Sequence, residues 1–194
     1  RATPATPLRK FAPVAQHGQL LQTHVTRIYA CLMTTLTNTA EDIETRRRCL
    51  EAASIFNTER VVEFIRWAYN SAEIELQCSS IYAMGRTGES SWLELLFREM
   101  KSPNPPIRYE AANACAEIEE EEAIVHLIPL TEDEDLQVQL ASIRAIGTIG
   151  GPLAKKALRR CIKSGDPVIE STAIDYLEIV DATDDLMVFR SYRD

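Results

Sequence analysis

The chain has 194 residues, with 21 Lys and Arg against 29 Asp and Glu, a formal net charge of −8, and is 45% hydrophobic and 26% charged. That composition is ordinary for a globular domain. No apolar run approaches the roughly 20 residues of a membrane-spanning helix, no charged-then-apolar leader opens the chain, and the acidic balance argues against a module that binds nucleic-acid phosphates through clustered Lys and Arg.

The first 22 residues, with Pro4, Pro7 and Pro13 among Ala and Thr, read as an irregular lead-in or linker. Arg1 stands where Met would begin a complete chain, so a fragment or a processed product is expected. A first helix is expected at about His24 to Leu36. From residue 45 onward a repeat sets the organisation. The segment Ile107 to Ile118, shifted by 31 residues, falls on Val138 to Ile149 and then on Ile169 to Val180; shifted back, it falls on Leu76 to Thr87 and Thr45 to Phe56.

Aligned columns show what each copy does. Thr45, Leu76, Ile107, Val138 and Ile169 form one apolar column, with Thr as its single polar member. Cys49, Ser80, Ala111, Ser142 and Ala173 form a small one that lets helix backbones approach. Leu50, Ile81, Ala112, Ile143 and Ile174 follow, then Ala52, Ala83, Ala114, Ala145 and Tyr176, and then Ala53, Met84, Cys115, Ile146 and Leu177. The offsets 0, 4, 5, 7 and 8 trace the apolar face of a helix. Asp42, Glu73, Asn104, Asp135 and Asp166 precede it as cap positions, two of them followed by proline. The other half of each unit is a second amphipathic helix with the columns Val61, Trp92, Ala123, Ala154; Phe64, Leu95, His126, Ala157; and Ile65, Leu96, Leu127, Leu158. One helix pair of this size cannot bury its own apolar face, so neighbours must stack. The expected fold is therefore all-α, a right-handed α-solenoid of about five to six two-helix repeats. The array spans 23–180, and an incomplete further repeat begins in 181–194, near Asp184.

The pattern D/N-P-x-[VI]-[RQE]…A-x-x-A-[LICM]-G, seen in Asn104 to Ala116 and Asp135 to Gly147, resembles HEAT repeats. The 31-residue period resembles the short class found in phycobilin-lyase-like proteins. The resemblance implies a binding scaffold whose second helices line a concave face. On those helices the column Glu51, Tyr82, Asn113, Arg144, Asp175 and its neighbours change chemistry from unit to unit. Tyr82, Arg86, Glu110, Asn113 and Arg144 are the expected partner-binding residues, because Tyr and Arg dominate binding hot spots. Their mixed signs suit a protein or peptide better than a nucleic acid. Uncovered terminal repeats leave self-association open.

No catalytic constellation emerges. His17, His24 and His126 form no H-E-x-x-H and no His-Glu dipeptide, the signature of HEAT-like iron hydroxylases, and no phosphate loop or nucleophile elbow is present. His126 is expected as a packed core residue. Cys31, Cys49, Cys78, Cys115 and Cys161 are odd in number and lack a C-x-x-C pair, so they read as reduced small hydrophobes in a cytoplasmic protein. No cofactor or metal is expected. Between Glu117 and Asp135 lie nine acids and no Lys or Arg, of which Glu119 to Glu122 are expected to open a helix; the stretch is either solvated turns and caps or an edge for a basic partner. Between 155 and 163, Lys155, Lys156, Arg159, Arg160 and Lys163 form a basic stripe, either balancing that acidic unit or meeting an anionic partner. A scaffold or regulatory module within a longer protein is the primary expectation. The alternative is a tetrapyrrole (phycobilin) lyase-like subunit or a chaperone-type accessory.

Overall fold

The computed structural model describes residues 22–191, with side chains described as far as residue 183. The described residues form helices joined by short turns, and the fold is the expected all-α repeat. The second helices start at Ile43, Ile74, Pro105, Leu136 and Pro167, 31 residues apart each time. Chain contacts divide the molecule into two compact units, 1–89 and 90–194.

In the first unit, α1 (Gln22–Thr37) packs on α2 (Ile43–Ala53), and α2 and α3 (Glu59–Tyr69) pack on α4 (Ile74–Thr87). Leu32, Leu36, Leu50, Val61, Ile65, Leu76, Ile81 and Met84 are sealed from solvent. Asp42 caps α2 by accepting from the Thr45 N–H, and Thr58 caps α3 by accepting from Val61.

The second unit contains α5 (Leu93–Glu99), α6 (Pro105–Ile118), α7 (Ile124–Leu127), α8 (Leu136–Ile149), α9 (Gly151–Cys161) and α10 (Pro167–Ser191). Here α6 packs on α8, and α8 and α9 pack on α10. The core columns of α6 and α8 are buried, including Ile107, Ala111, Ala112, Cys115, Val138, Ser142, Ile143 and Ile146. Tyr176 departs from an otherwise alanine column, and Gly147 makes room for it: a Cβ on Gly147 would lie 2.4 Å from the Tyr176 ring.

Four readings change. The first helix of the fourth unit is not one α-helix: α7 is flanked by 3-10 turns at Glu121–Ala123 and Ile128–Glu132. Pro129 lacks an N–H and its ring crowds the preceding turn, so the α-helix stops there. Glu119 does not open a helix but ends α6 in the left-handed conformation, φ 60°. Phe64, Leu95 and His126 form a half-buried column rather than a core one. And α10 runs unbroken through the 181–184 region where a further repeat was expected. Asn57 (φ 40°), Gly88 (φ 68°), Glu119 and Gly150 (φ 76°) turn the chain at 31-residue spacing, whereas position 181 holds Asp, followed by Ala and Thr with no Gly or Pro to stop the helix.

Candidate functional site

Much of the surface variation along the second helices serves the repeats themselves. The [RQE] position of the motif ties each second helix to the turn before it. Gln77 Nε2 donates to the Ser71 carbonyl at 2.7 Å, Arg108 Nη1 to the Ser102 carbonyl at 2.8 Å, and Gln139 Nε2 to the Asp133 carbonyl. The turns have their own column: Ser71, Ser102, Asp133 and Ser164 each accept the backbone N–H two residues on. The sequence motif marks the first of these positions without revealing its task, since a side chain's reach to a turn carbonyl is set by backbone geometry.

In the first unit, Glu51, expected on the variable face, is nearly closed to solvent. Its carboxylate accepts from Ser79 Oγ at 2.7 Å, Arg47 at 3.2 Å and Arg48 at 3.0 Å. Glu44 bonds both arginines, at 2.8 Å to each Nε. With Arg47 also donating to Ser79 Oγ at 3.0 Å, Glu51, Arg47 and Ser79 form an ionic seam between α2 and α4, and Arg48 supports it from within α2. Tyr82 and Arg86 lie four residues apart on α4, both half-buried.

In the second unit, Glu110 and Asn113 lie on α6 and Arg144 on α8, the helix packed against it, all half-buried. Asn113 and Arg144 occupy the same position in successive repeats. Among the described residues neither side chain enters a hydrogen bond or ion pair. Pro105, Pro106 and Tyr109 of α6, Gln137 of α8 and its cap residue Asp135 line an open depression on this unit. Sequence reasoning passed over it. Its signal was an aromatic at Tyr109, in a column that reads Arg47, Cys78, Tyr109, Leu140, Ser171.

The acidic stretch is partly occupied by internal partners. Arg108, nearly buried, grips Asp133 with both ends of its guanidinium: Nε to Oδ2 and Nη2 to Oδ1, each 2.7 Å; Nη2 also reaches Glu134 at 3.3 Å. Burial alone would raise the Asp133 carboxyl, but the hydrogen bonds and charge of Arg108 hold it below the usual carboxylate range. Its hydrogen bonds to Asp133 in turn raise Arg108. Glu132 pairs with Arg160 of the basic stripe, and Lys155 pairs with Asp181 at 2.6 Å. The Glu132–Arg160 pair matches the structural-balance reading, Lys155 instead meets an acid outside the acidic stretch, and Lys156, Arg159 and Lys163 face solvent.

His126 stacks on Phe97, with ring centroids 3.9 Å apart and planes 16° apart. Cys49, Cys115 and Cys161 are buried, and burial pushes the thiols of Cys49 and Cys115 up to about 11 and about 12. Cys31 departs from the expected small-hydrophobe role: it is exposed on α1. Among the described residues no three His, Cys, Asp or Glu side chains converge as metal ligands, and no helix is long and apolar enough to cross a membrane.

These observations define an all-helical repeat protein with a cap, a turn tie and a left-handed stop repeated every 31 residues. The model of HEAT repeats matches residues 62–135 and 124–193, more than half of the chain, which therefore belongs to the HEAT-repeat family. The chain is 26% identical over 81 residues to the uncharacterized phycocyanin operon protein Z of Pseudanabaena tenuis; the match covers 42% of this chain and 40% of that protein. An engineered protein of known crystal structure is similar at a TM-score of 0.56 and 21% identity, over 92% of this chain and 90% of its own. Human deoxyhypusine hydroxylase, solved in complex with glycerol, is similar at a TM-score of 0.50 and 14% identity, over 93% of this chain and 81% of its own. At these identities the two structures establish the fold alone.

Proposed function

We propose that this HEAT-repeat chain is a non-catalytic, cytoplasmic module that binds a protein or peptide through its second helices. Tyr82 and Arg86 contribute in the first unit, and Glu110, Asn113 and Arg144 in the second. The observation that carries this reading is the division of labour among the columns. Core, cap and turn-tie columns are committed to folding, whereas Asn113 and Arg144, half-buried at one repeat position, take no hydrogen-bond or ionic partner among the described residues. Polar groups held at a partly desolvated surface without partners are suited to recognition. The test is selection of a displayed peptide library on the whole chain. Enriched peptides that bind at least tenfold more weakly to the Tyr82→Ala, Arg144→Glu double variant, with unchanged far-ultraviolet circular dichroism, support the reading. An unaltered affinity, or no enrichment, overturns it.

The similarity to a protein named for a phycocyanin operon favours a second reading, a subunit that holds a linear tetrapyrrole. Titration with phycocyanobilin separates the two: a saturable shift of its visible absorbance supports this second reading, and an unshifted spectrum removes it.

A further inference from the structure

The repeat provides its own reference for which residues should be covered. The column Leu50, Ile81, Ala112 and Ile143 is wholly sealed, yet its last member, Ile174 on α10, is 42% exposed. Val168 and Ile179 on the same helix are 50% and 53% exposed. At 100° per residue, Ile174, Glu178, Ser171, Ala182, Asp175, Val168 and Ile179 occupy one arc of α10. Ile169, Ala173 and Val180, all buried, occupy the opposite arc. The open arc thus sets three exposed aliphatic side chains, Ile174, Val168 and Ile179, on either side of two exposed carboxylates, Asp175 and Glu178.

We propose that this outward face of α10 docks an amphipathic helix that carries Lys or Arg beside its apolar stripe. Asp175 continues the column of Tyr82, Asn113 and Arg144, whereas Ile174 and Glu178 lie outside the residues assigned to peptide recognition above. The structure contains a precedent for the chemistry. α9 packs on α10, buries Ala154, Ala157 and Leu158, and sets Lys155 against Asp181 on the flank of α10 next to the open arc. A partner on the open arc finds the same combination, with Asp175 and Glu178 in the place of Asp181. A second copy is a poorer occupant, because a two-fold contact of this face with itself gathers Asp175 and Glu178 of both copies at one interface.

The probe is a synthetic peptide of the 151–163 sequence with Cys161→Ser, stapled into a helix and labelled for fluorescence anisotropy against the whole chain. Saturable binding is expected, at least tenfold weaker for Ile174→Asp and for the Asp175→Lys, Glu178→Lys double variant. Because Ile174 and both acids are exposed, all three substitutions leave the circular dichroism unchanged. Sedimentation velocity is run alongside. Absent binding, or binding that Ile174→Asp does not weaken, overturns the proposal. So does a wild-type dimer that Ile174→Asp dissociates, since the occupant is then a second copy.

Discussion

Tyr176 shows how one residue reshapes a repeat. Its column is alanine in the four preceding copies, and a phenol ring fits the fifth only because Gly147 on α8 has no side chain. Gly147→Ala sets a Cβ 2.4 Å from the Tyr176 ring, within an interior too closely packed to yield without backbone movement. The gain in helix propensity, about 1 kcal/mol, is opposed by an overpacking cost of roughly 1–3 kcal/mol. Net destabilisation is expected in urea titrations. In a Tyr176→Ala background the overpacking disappears and the same substitution should become stabilising. A double-mutant cycle with no coupling between the two positions would refute the steric account. Both residues stood in the sequence alignment, Tyr176 as a break in its column and Gly147 inside the motif. That each answers the other is legible only once α8 and α10 are packed.

At the scale of the element, the helix stops follow a column that was not read from the sequence. Asn57, Gly88, Glu119 and Gly150 all adopt positive φ, and only Glu119 lacks a residue type that tolerates it readily. A side chain in the left-handed region costs of order 1–3 kcal/mol, partly offset by the greater freedom glycine brings to the unfolded chain. Glu119→Gly should therefore raise stability by about 0.5–1 kcal/mol, seen as a higher urea midpoint at unchanged slope. A lower midpoint would show that the glutamate side chain contributes more than its backbone costs. The column was obscured because its four residues differ chemically and share only a backbone conformation. The caps were more legible, yet uneven: Asp42, Asp135 and Asp166 accept backbone N–H groups, whereas Asn104 occupies the cap position without a side-chain cap bond. There Pro105, at the first helical position, removes one of the N–H groups a cap would serve.

At the scale of the whole molecule, the stacking of repeats within the second unit is locked by charge as well as by the apolar core. Arg108 on α6 holds Asp133 in the turn before α8, both side chains 9% exposed. Arg108→Met leaves a nearly buried carboxylate without its cation, a loss of about 3–5 kcal/mol at neutral pH. The pH dependence follows from the lowered Asp133. The unfolded chain binds this proton near pH 4 and the folded chain only at lower pH. The contribution is therefore complete above about pH 4 and declines as pH falls through the folded value. The stability gap between wild type and Arg108→Met should narrow from pH 6 to pH 3, measured by urea unfolding at each pH. A gap that stays constant would assign the loss to packing instead.

The net charge of −8 is concentrated in the segment to which Asp133 belongs. Glu117 to Asp135 contains nine acids and no Lys or Arg, so its own charge is −9 and the remaining residues are nearly neutral. In the folded chain part of that charge is taken up by Arg108 and by Arg160. The sequence by itself determined the helix-pair repeat, its 31-residue period and the buried columns, because these follow from local periodicity and the need to hide apolar surface. Tertiary structure alone decided that Glu51 lies in an ionic seam, that Gly147 yields to Tyr176, and that Ile174 stands uncovered. Each of those depends on which helix lies alongside, and a contact between residues about 30 positions apart leaves no mark in the periodicity of either segment.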